Sequence, residues 1–261
     1  MAEKKNELTF SESLNTSLME VKNALPKDLN TARFVNNAVA LLNENTQLQD
    51  FAAKHGTAQI KAGMLKAAYL GLDFMSKEAY LVPYGTQLNF MKSYTGAIKI
   101  CKKYSIRPLK DIYAKIVREG DEYGIEIIDN EPRITFKPKP FNKGKIQGAF
   151  AVAIFADGGI QYEEMSLEEL EKIRNCSKMK NGTVWSTWTD QMYLKSVLHR
   201  LCKHIEIDFD NAEQIKYFGE EMEIETDPKA QAKADIEENA NKQDFDTEGA
   251  IEIDENGRMI L

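Results

Sequence analysis

Apolar residues recur along the chain first at helical spacing, then in alternation, then at helical spacing again, and each change of period predicts a change of element. From Ser11 to Leu25 the apolar positions are Leu14, Leu18, Val21 and Leu25, one face of a helix that Pro26 closes. Thr31 to Leu42 repeats the spacing with Phe34, Val35, Ala38, Leu41 and Leu42. Thr46 and Gln49 then stand three apart ahead of Phe51, the arrangement of a capping box. A third helix is predicted over Thr57 to Leu70, burying Ile60, Met64, Ala67, Ala68 and Leu70 and stopping at Gly71.

Past Asp73 the period shortens to two. Ala79 to Tyr84 and Thr86 to Lys92 flank Gly85 and predict a tight hairpin, with Leu88, Phe90 and Lys92 on one face of its second limb. The chain then runs through Tyr94, Thr95 and Gly96 into a helix ending near Tyr104. Ala97, Ile98, Cys101 and Tyr104 form its apolar side, and Lys99, Lys102 and Lys103 fall at i, i+3 and i+4 on one face.

Strands are expected over Leu109 to Arg118, Tyr123 to Asp129, Arg133 to Lys137, Gln147 to Ala156 and Ile160 to Met165, read together as a meander. Turn residues separate them at Glu119-Gly120-Asp121, at Asp129 to Pro132 and at Asp157-Gly158-Gly159. Two helices follow, Leu167 to Asn175 under a Ser166 and Glu169 cap, and Ser186 to His204. The fold class is therefore α+β: N-terminal helices, an antiparallel hairpin and meander, packed helices and an acidic C-terminal tail. Residues 1–76 are assigned to packing or oligomerisation, 77–219 to a binding core, and 220–261 to a mobile tail that could dock a partner.

Charge sharpens this division. The chain has a formal net charge of -7. From Glu220 to Leu261 there are 14 acidic and 4 basic residues, a net of -10, so the remainder carries -7 minus -10, or +3. Lys77 to His204 holds 21 basic and 15 acidic residues, a net of +6, whereas residues 1–76 balance at 8 and 8. An acidic total thus hides a basic centre suited to a polyanion. The tail has too few apolar residues for its charge to be expected to order by itself.

Cys101, Cys176 and Cys202 are odd in number and widely spaced, which argues against a disulfide framework or a zinc site and fits a reducing cytoplasm. No run approaches the ~18 apolar residues of a membrane span, and the first ten residues, MAEKKNELTF, lack a signal-peptide core.

The second stretch with chemical content is Lys178 to Lys203. Lys178 and Lys180 precede Trp185 and Trp188, the two tryptophans of the chain, and Lys195, His199 and Lys203 recur every four residues in the helix after them. Two lysine stripes, a basic loop and aromatic rings are the materials of a groove that follows phosphates and stacks on exposed bases. The bland alternative puts the tryptophans in the core and the lysines in solvent. The basic Pro-rich loop FKPKPFNKGK, Phe136 to Lys145, could touch phosphate or be solvated, and is read as solvated. A P-loop requires GxxxxGK[ST], and Gly144-Lys145 is followed by Ile146, so that motif is absent. Glu163-Glu164 and Glu168-Glu169 leave a metal-dependent nuclease as a minor alternative, although the second pair opens a helix, where acids belong.

Gly71-Leu72-Asp73, AYLVPYG at 79–85, the Tyr94-Thr95-Gly96 turn, VREGD at 117–121, DGG at 157–159, the tryptophan pair and KSVLHRLCKH at 195–204 occur in one order over roughly residues 14–207. In this combination the chain resembles the RecT family of phage and prophage single-strand annealing proteins. The resemblance implies ATP-independent DNA recombination by a homo-oligomeric ring or filament with a β-β-β-α annealing core. It further implies a cognate exonuclease and the host single-strand binding protein as partners, no catalytic residues and no cofactor, with Mg²⁺ at most a modulator of DNA binding. One wall of the expected groove comprises Lys92, Tyr94, Thr95, Lys99, Lys102 and Lys103. The other comprises Lys178, Lys180, Trp185, Trp188, Lys195, His199 and Lys203. Arg118 and Arg200 are secondary candidates because each can pair with a nearby acid. A protein that coats single strands without annealing them is the principal competing reading.

Overall fold

The computed structural model describes residues 9–177, 180–181 and 183–219. In chain order the elements are α1 (Phe10–Glu20), a 3₁₀ turn (Lys22–Ala24), α2 (Thr31–Glu44), α3 (Thr46–His55), α4 (Ala58–Leu70), β1 (Ala79–Tyr84), β2 (Gln87–Lys92) and α5 (Tyr94–Tyr104). There follow β3 (Leu109–Arg118), β4 (Glu122–Ile128), β5 (Glu131–Lys137), β6 (Ile146–Phe155), β7 (Ile160–Ser166), α6 (Leu167–Cys176), α7 (Thr183–Thr187), α8 (Thr189–His204) and α9 (Ala212–Gly219). The α+β class and the antiparallel pairing are as the periodicity predicts.

A first core joins α1 to α4 with the β1–β2 hairpin and α9. Leu14, Leu18, Ile60, Met64, Leu70, Leu81 and Phe90 are buried there, so the cluster takes in both the helices before residue 76 and the hairpin after it. β1 and β2 pair antiparallel from Ala79↔Lys92 to Tyr84↔Gln87, leaving Gly85 and Thr86 as a two-residue turn. The alternation places Leu88, Phe90 and Lys92 on the inner face as predicted.

A second core lies between the sheet β3-β6-β7 and the helices α5, α6 and α8. Ile112, Ala149, Ala151, Ala153 and Met165 point from the strands toward Tyr193, Val197, Leu201 and Cys202 of α8. The alanines on β6 are what let the helices approach the sheet. The opposite face carries Phe150 and Val152, partly covered by Tyr123, Ile134 and Phe136. Those three belong to β4–β5, which pair with each other as a separate two-stranded ribbon. The expected single meander is thereby corrected: β3 pairs directly with β6, and the ribbon is an excursion between them. Asp129 and Asn130, at φ 54 and 65, make its tight turn, short side chains that tolerate the left-handed region.

α5 stands between the cores. Its Ile100 and Tyr104 are buried in the first and its Ala97 and Cys101 in the second. Gly96, in its first turn, lies under the backbone entering β1, where a Cβ would come within 2.1 Å of the Glu78 carbonyl oxygen. That contact is the physical reason for glycine in the Tyr-Thr-Gly sequence.

Local predictions needed three further corrections. The cap of α3 is Asn45, whose side chain accepts from the Leu48 amide, and not a Thr46–Gln49 box. The first helix stops at Glu20 and continues only as a 3₁₀ turn before Pro26. The helix predicted from Ser186 to His204 is broken at Trp188, whose φ of -120° and ψ of 37° separate α7 from α8. The Ser166 and Glu169 capping box is present as predicted.

Candidate nucleic-acid interface

The three lysines of α5 share one face by spacing but reach in different directions. Lys99 Nζ donates to the Gly71 carbonyl at 2.9 Å and to Glu78 Oε2 at 2.7 Å, facing the first core. Lys103 pairs with Asp28 in the loop before α2, and this contact holds the Asp28 carboxyl below its ordinary value. Lys102 lies 3.4 Å from Asp111 on β3. Each lysine of the predicted face therefore has an acid, and the three pairs fasten α5 to both neighbouring units.

Such pairs hold weakly against a competing anion. Asp28 and Asp111 are largely exposed and Lys102 is half-exposed, and exposed pairs contribute roughly 0–1 kcal/mol. A competing anion at this surface would displace a carboxylate from Lys102 or Lys103 at small cost. Tyr94 and Thr95, at the opposite, N-terminal end of the same helix, are also exposed.

Lys92 does not belong to that surface. It is 5% exposed, donates to the Phe218 carbonyl and lies 4.5 Å from the centre of the Phe218 ring. The strand alternation that placed it with Leu88 and Phe90 already implied an inward side chain. What the alternation could not show was α9, which supplies its partner.

The two tryptophans have opposite fates. Trp185 is 3% exposed, packs 6.2 Å from the Tyr193 ring and donates through Nε1 to Ser177 Oγ at 3.2 Å, so it is a core residue and not a groove wall. Trp188, at the break between α7 and α8, is 61% exposed. The break explains the difference, because it turns Trp188 off the helical stripe that buries Tyr193 and Val197.

On α8, Lys195 and His199 are half-buried and Lys203 is exposed. Arg200 is held by Glu163 at 2.8 Å and Glu169 at 3.1 Å, and Arg118 pairs with Asp190 while donating to the Gly144 carbonyl at 2.9 Å. Burial pushes the Glu169 carboxyl up, but bonds from the Ser166 amide and from Arg200 outweigh it and the net shift is downward. Both arginines serve as internal clamps. Lys180 is exposed, and Lys178 lies outside the described residues, as does the acidic segment 220–261.

The predicted residues that are exposed are thus Tyr94, Thr95, Lys102 and Lys103 on α5, with Lys180, Trp188 and Lys203 around α7 and α8. The helices that carry them touch through Cys101, whose Sγ lies 3.9 Å from the Cys202 carbonyl, and the chain after each is joined at a Ser105↔Ile207 bridge. Among the described residues no group of three His, Cys, Asp or Glu side chains could hold a metal ion, and no helix is long and apolar enough to cross a membrane.

Comparison with known proteins gives a consistent picture. The RecT family model matches residues 32–234 of the chain. Against Protein RecT of Escherichia coli (strain K12), the chain is 25% identical over 197 residues, covering 72% of this chain and 71% of that protein.

Proposed function

The chain belongs to the RecT family, and from that premise we propose that it coats single-stranded DNA and pairs it with a complementary strand without nucleotide hydrolysis. Membership supports single-strand annealing in recombination at the level of the family.

The observation that carries the reading is the exposed aromatic and cationic surface around α5 and the α7–α8 break. Tyr94 and Trp188 offer rings to solvent, and Lys102 and Lys103 hold exposed acids that a phosphate can replace. Lysine contacts along a backbone release counterions and remove the repulsion between two strands. Rings stack on bases of any sequence and leave pairing edges open. Base stacking of ~1.4 kcal/mol per step then drives pairing, and no nucleotide is required. The absence of a GxxxxGK[ST] motif from the sequence is in keeping with this.

The electrically balanced N-terminal helices are assigned to side-by-side assembly into a ring or filament, which would make the protomer surfaces continuous. A cognate exonuclease that exposes the single strand and the host single-strand binding protein that covers it are the expected partners, in the cytoplasm of a bacterial host.

Two complementary labelled oligonucleotides mixed with the protein, without ATP, test the proposal. Accelerated pairing is expected. Blocked pairing would assign the chain to simple coating, and strands shortened on addition of Mg²⁺ would assign it to a nuclease; either result refutes annealing.

A further inference from the structure

Pro138 to Lys145, the connection between β5 and β6, lies outside the surface described so far and is built with unusual firmness. Asp121 Oδ1 accepts from the Lys139 amide at 2.9 Å and from Asn142 Nδ2 at 2.7 Å, and its Oδ2 accepts from the Arg118 amide at 2.8 Å. Asn142 Nδ2 also reaches the Glu119 carbonyl at 3.1 Å, and its Oδ1 accepts from the Gly144 amide at 2.8 Å. The Glu119 amide donates to the Lys145 carbonyl at 2.9 Å. A Cβ on Gly144 would meet the Glu119 carbonyl oxygen at 2.6 Å, so the two backbones are in contact.

This scaffold presents one side chain. Phe141 is 99% exposed, and its φ of 52° lies in the left-handed region that disfavours a bulky residue. The ring buries nothing within the described chain, so folding gives no reason for an aromatic residue there. Lys139, Lys143 and Lys145 flank it in sequence, all exposed. Unlike Lys99, Lys102 and Lys103, none of these three makes an ion pair among the described residues.

The loop also has a fixed place relative to Trp188. The Arg118 guanidinium donates to the Gly144 carbonyl with one nitrogen and pairs with Asp190 through the other. Asp190 is two residues beyond Trp188 and Gly144 three beyond Phe141, so one side chain ties the loop that carries Phe141 to the start of the helix that follows Trp188.

We infer that the 138–145 loop is a further single-strand DNA contact, in which Phe141 stacks on an unpaired base and Lys139, Lys143 and Lys145 take the flanking phosphates. This rests on the annealing function proposed above and extends its surface beyond α5 and α8. A protein partner fits the loop less well, because lysine is depleted from protein–protein interfaces, whereas lysines interleaved with an aromatic ring are the pattern of single-strand binding. Stacking requires no particular base, so the contact is sequence-independent.

The test is equilibrium binding of full-length protein to fluorescein-labelled oligo(dT) over a series of salt concentrations. Phe141→Ala is expected to weaken binding about five- to a hundred-fold, the range for one lost base stack, with the salt dependence unchanged. Phe141→Trp is expected to restore affinity and to show fluorescence quenching by oligo(dT) beyond that of the wild type. The triple variant Lys139→Ala, Lys143→Ala, Lys145→Ala is expected to lower the slope of log K against log salt by about 2, from three contacts at ~0.7 each. All these positions are exposed, so thermal unfolding followed by circular dichroism should match the wild type. If wild-type protein binds oligo(dT) and the variants bind like it, the loop assignment is overturned and the annealing function stands. If wild-type protein does not bind oligo(dT), both fall together. If Phe141→Ala dissociates the DNA-free oligomer but keeps its affinity for oligo(dT), the loop contacts another protomer and the assignment is overturned.

Discussion

Substitution of Lys92 separates a DNA contact from a structural clasp more cleanly than any other change in the chain. Its ammonium bonds to the Phe218 carbonyl and faces the Phe218 ring at 4.5 Å. A hydrogen bond involving a charged group contributes about 1.5–3 kcal/mol, and a desolvated cation–π contact up to roughly 2. Against these stands the cost of burying an ammonium that is only 5% exposed, several kcal/mol after relaxation. The net value of the charge is therefore small, near zero to about 1 kcal/mol, whereas the four-carbon stem beside Phe90 adds packing of ~2 kcal/mol. Lys92→Ala should lose about 2–3 kcal/mol of stability, and Lys92→Met, which keeps the stem, about 1 or less.

Urea unfolding reads these differences as shifts in midpoint at constant slope. The same two proteins, titrated with oligo(dT) across salt concentrations, should show an unchanged salt dependence because no phosphate reaches the buried ammonium. A lost contact would lower the slope by about 0.7. Stability within ~0.5 kcal/mol of wild type, with a slope lowered by that amount, would show that Lys92 faces DNA and that its packing against α9 has no part in the folded protein.

Four other predictions follow from named contacts. Gly96→Ala should cost about 3 kcal/mol or more by thermal melting, because the new methyl meets the Glu78 carbonyl, a backbone atom that cannot swing aside. Trp185→Ala should cost ~3–5 kcal/mol of stability as a core truncation, whereas Trp188→Ala should leave the melting temperature unchanged and weaken oligo(dT) binding by ~1–3 kcal/mol. Bonds from Asn142 and from the Lys139 and Arg118 amides hold the Asp121 carboxyl below its usual range. Its contribution to stability is therefore complete above the unfolded value near ~3.9 and lost as pH falls through the lower folded value, so Asp121→Asn should be less stable than wild type at neutral pH and converge with it in strong acid. Replacing Asp28 and Asp111 by Asn removes the acids that compete for Lys103 and Lys102, and should tighten oligo(dT) binding up to about thirty-fold, at roughly 1 kcal/mol or less for each of the two exposed pairs; weaker binding would place those lysines away from the DNA.

Elements set by local periodicity were legible in the sequence, and their partners were not. β3 is found over the predicted residues, and the buried face of β2 was fixed by alternation alone. α9 was missed because its eight residues carry only Ala212, Ile215, Tyr217 and Phe218 as apolar positions, too short a run for helical periodicity to register. Its position is set by Gln214, buried and donating to the Tyr69 carbonyl at 2.9 Å and the Tyr104 hydroxyl at 3.1 Å, a long-range polar contact that hydrophobic spacing does not register. The lysine face shows the same limit. The spacing of Lys99, Lys102 and Lys103 is visible in five consecutive residues, but their acids lie 21, 9 and 75 positions away. Phe141 carried a readable signal, an aromatic residue without apolar neighbours between prolines and lysines, which the reading of the loop as solvated passed over.

The position of α5 gives those ion pairs a second consequence. The helix shares its buried residues between two cores, and its lysines tie it to Asp28 and Glu78 on one side and Asp111 on the other. A phosphate that takes Lys102 or Lys103 must first release the acid, so the DNA binding proposed at α5 would exchange an internal contact for an external one. The net gain per lysine is then smaller than at a lysine with no acid partner among the described residues, such as Lys139, Lys143 or Lys145. Weak individual contacts suit an annealing protein, because the first strand must be neutralised but not held so tightly that it cannot shift into register with the second. In the proposed complex α5 would supply exchangeable contacts at the joint between the cores, and the stronger positional hold on the strand would fall to the exposed rings.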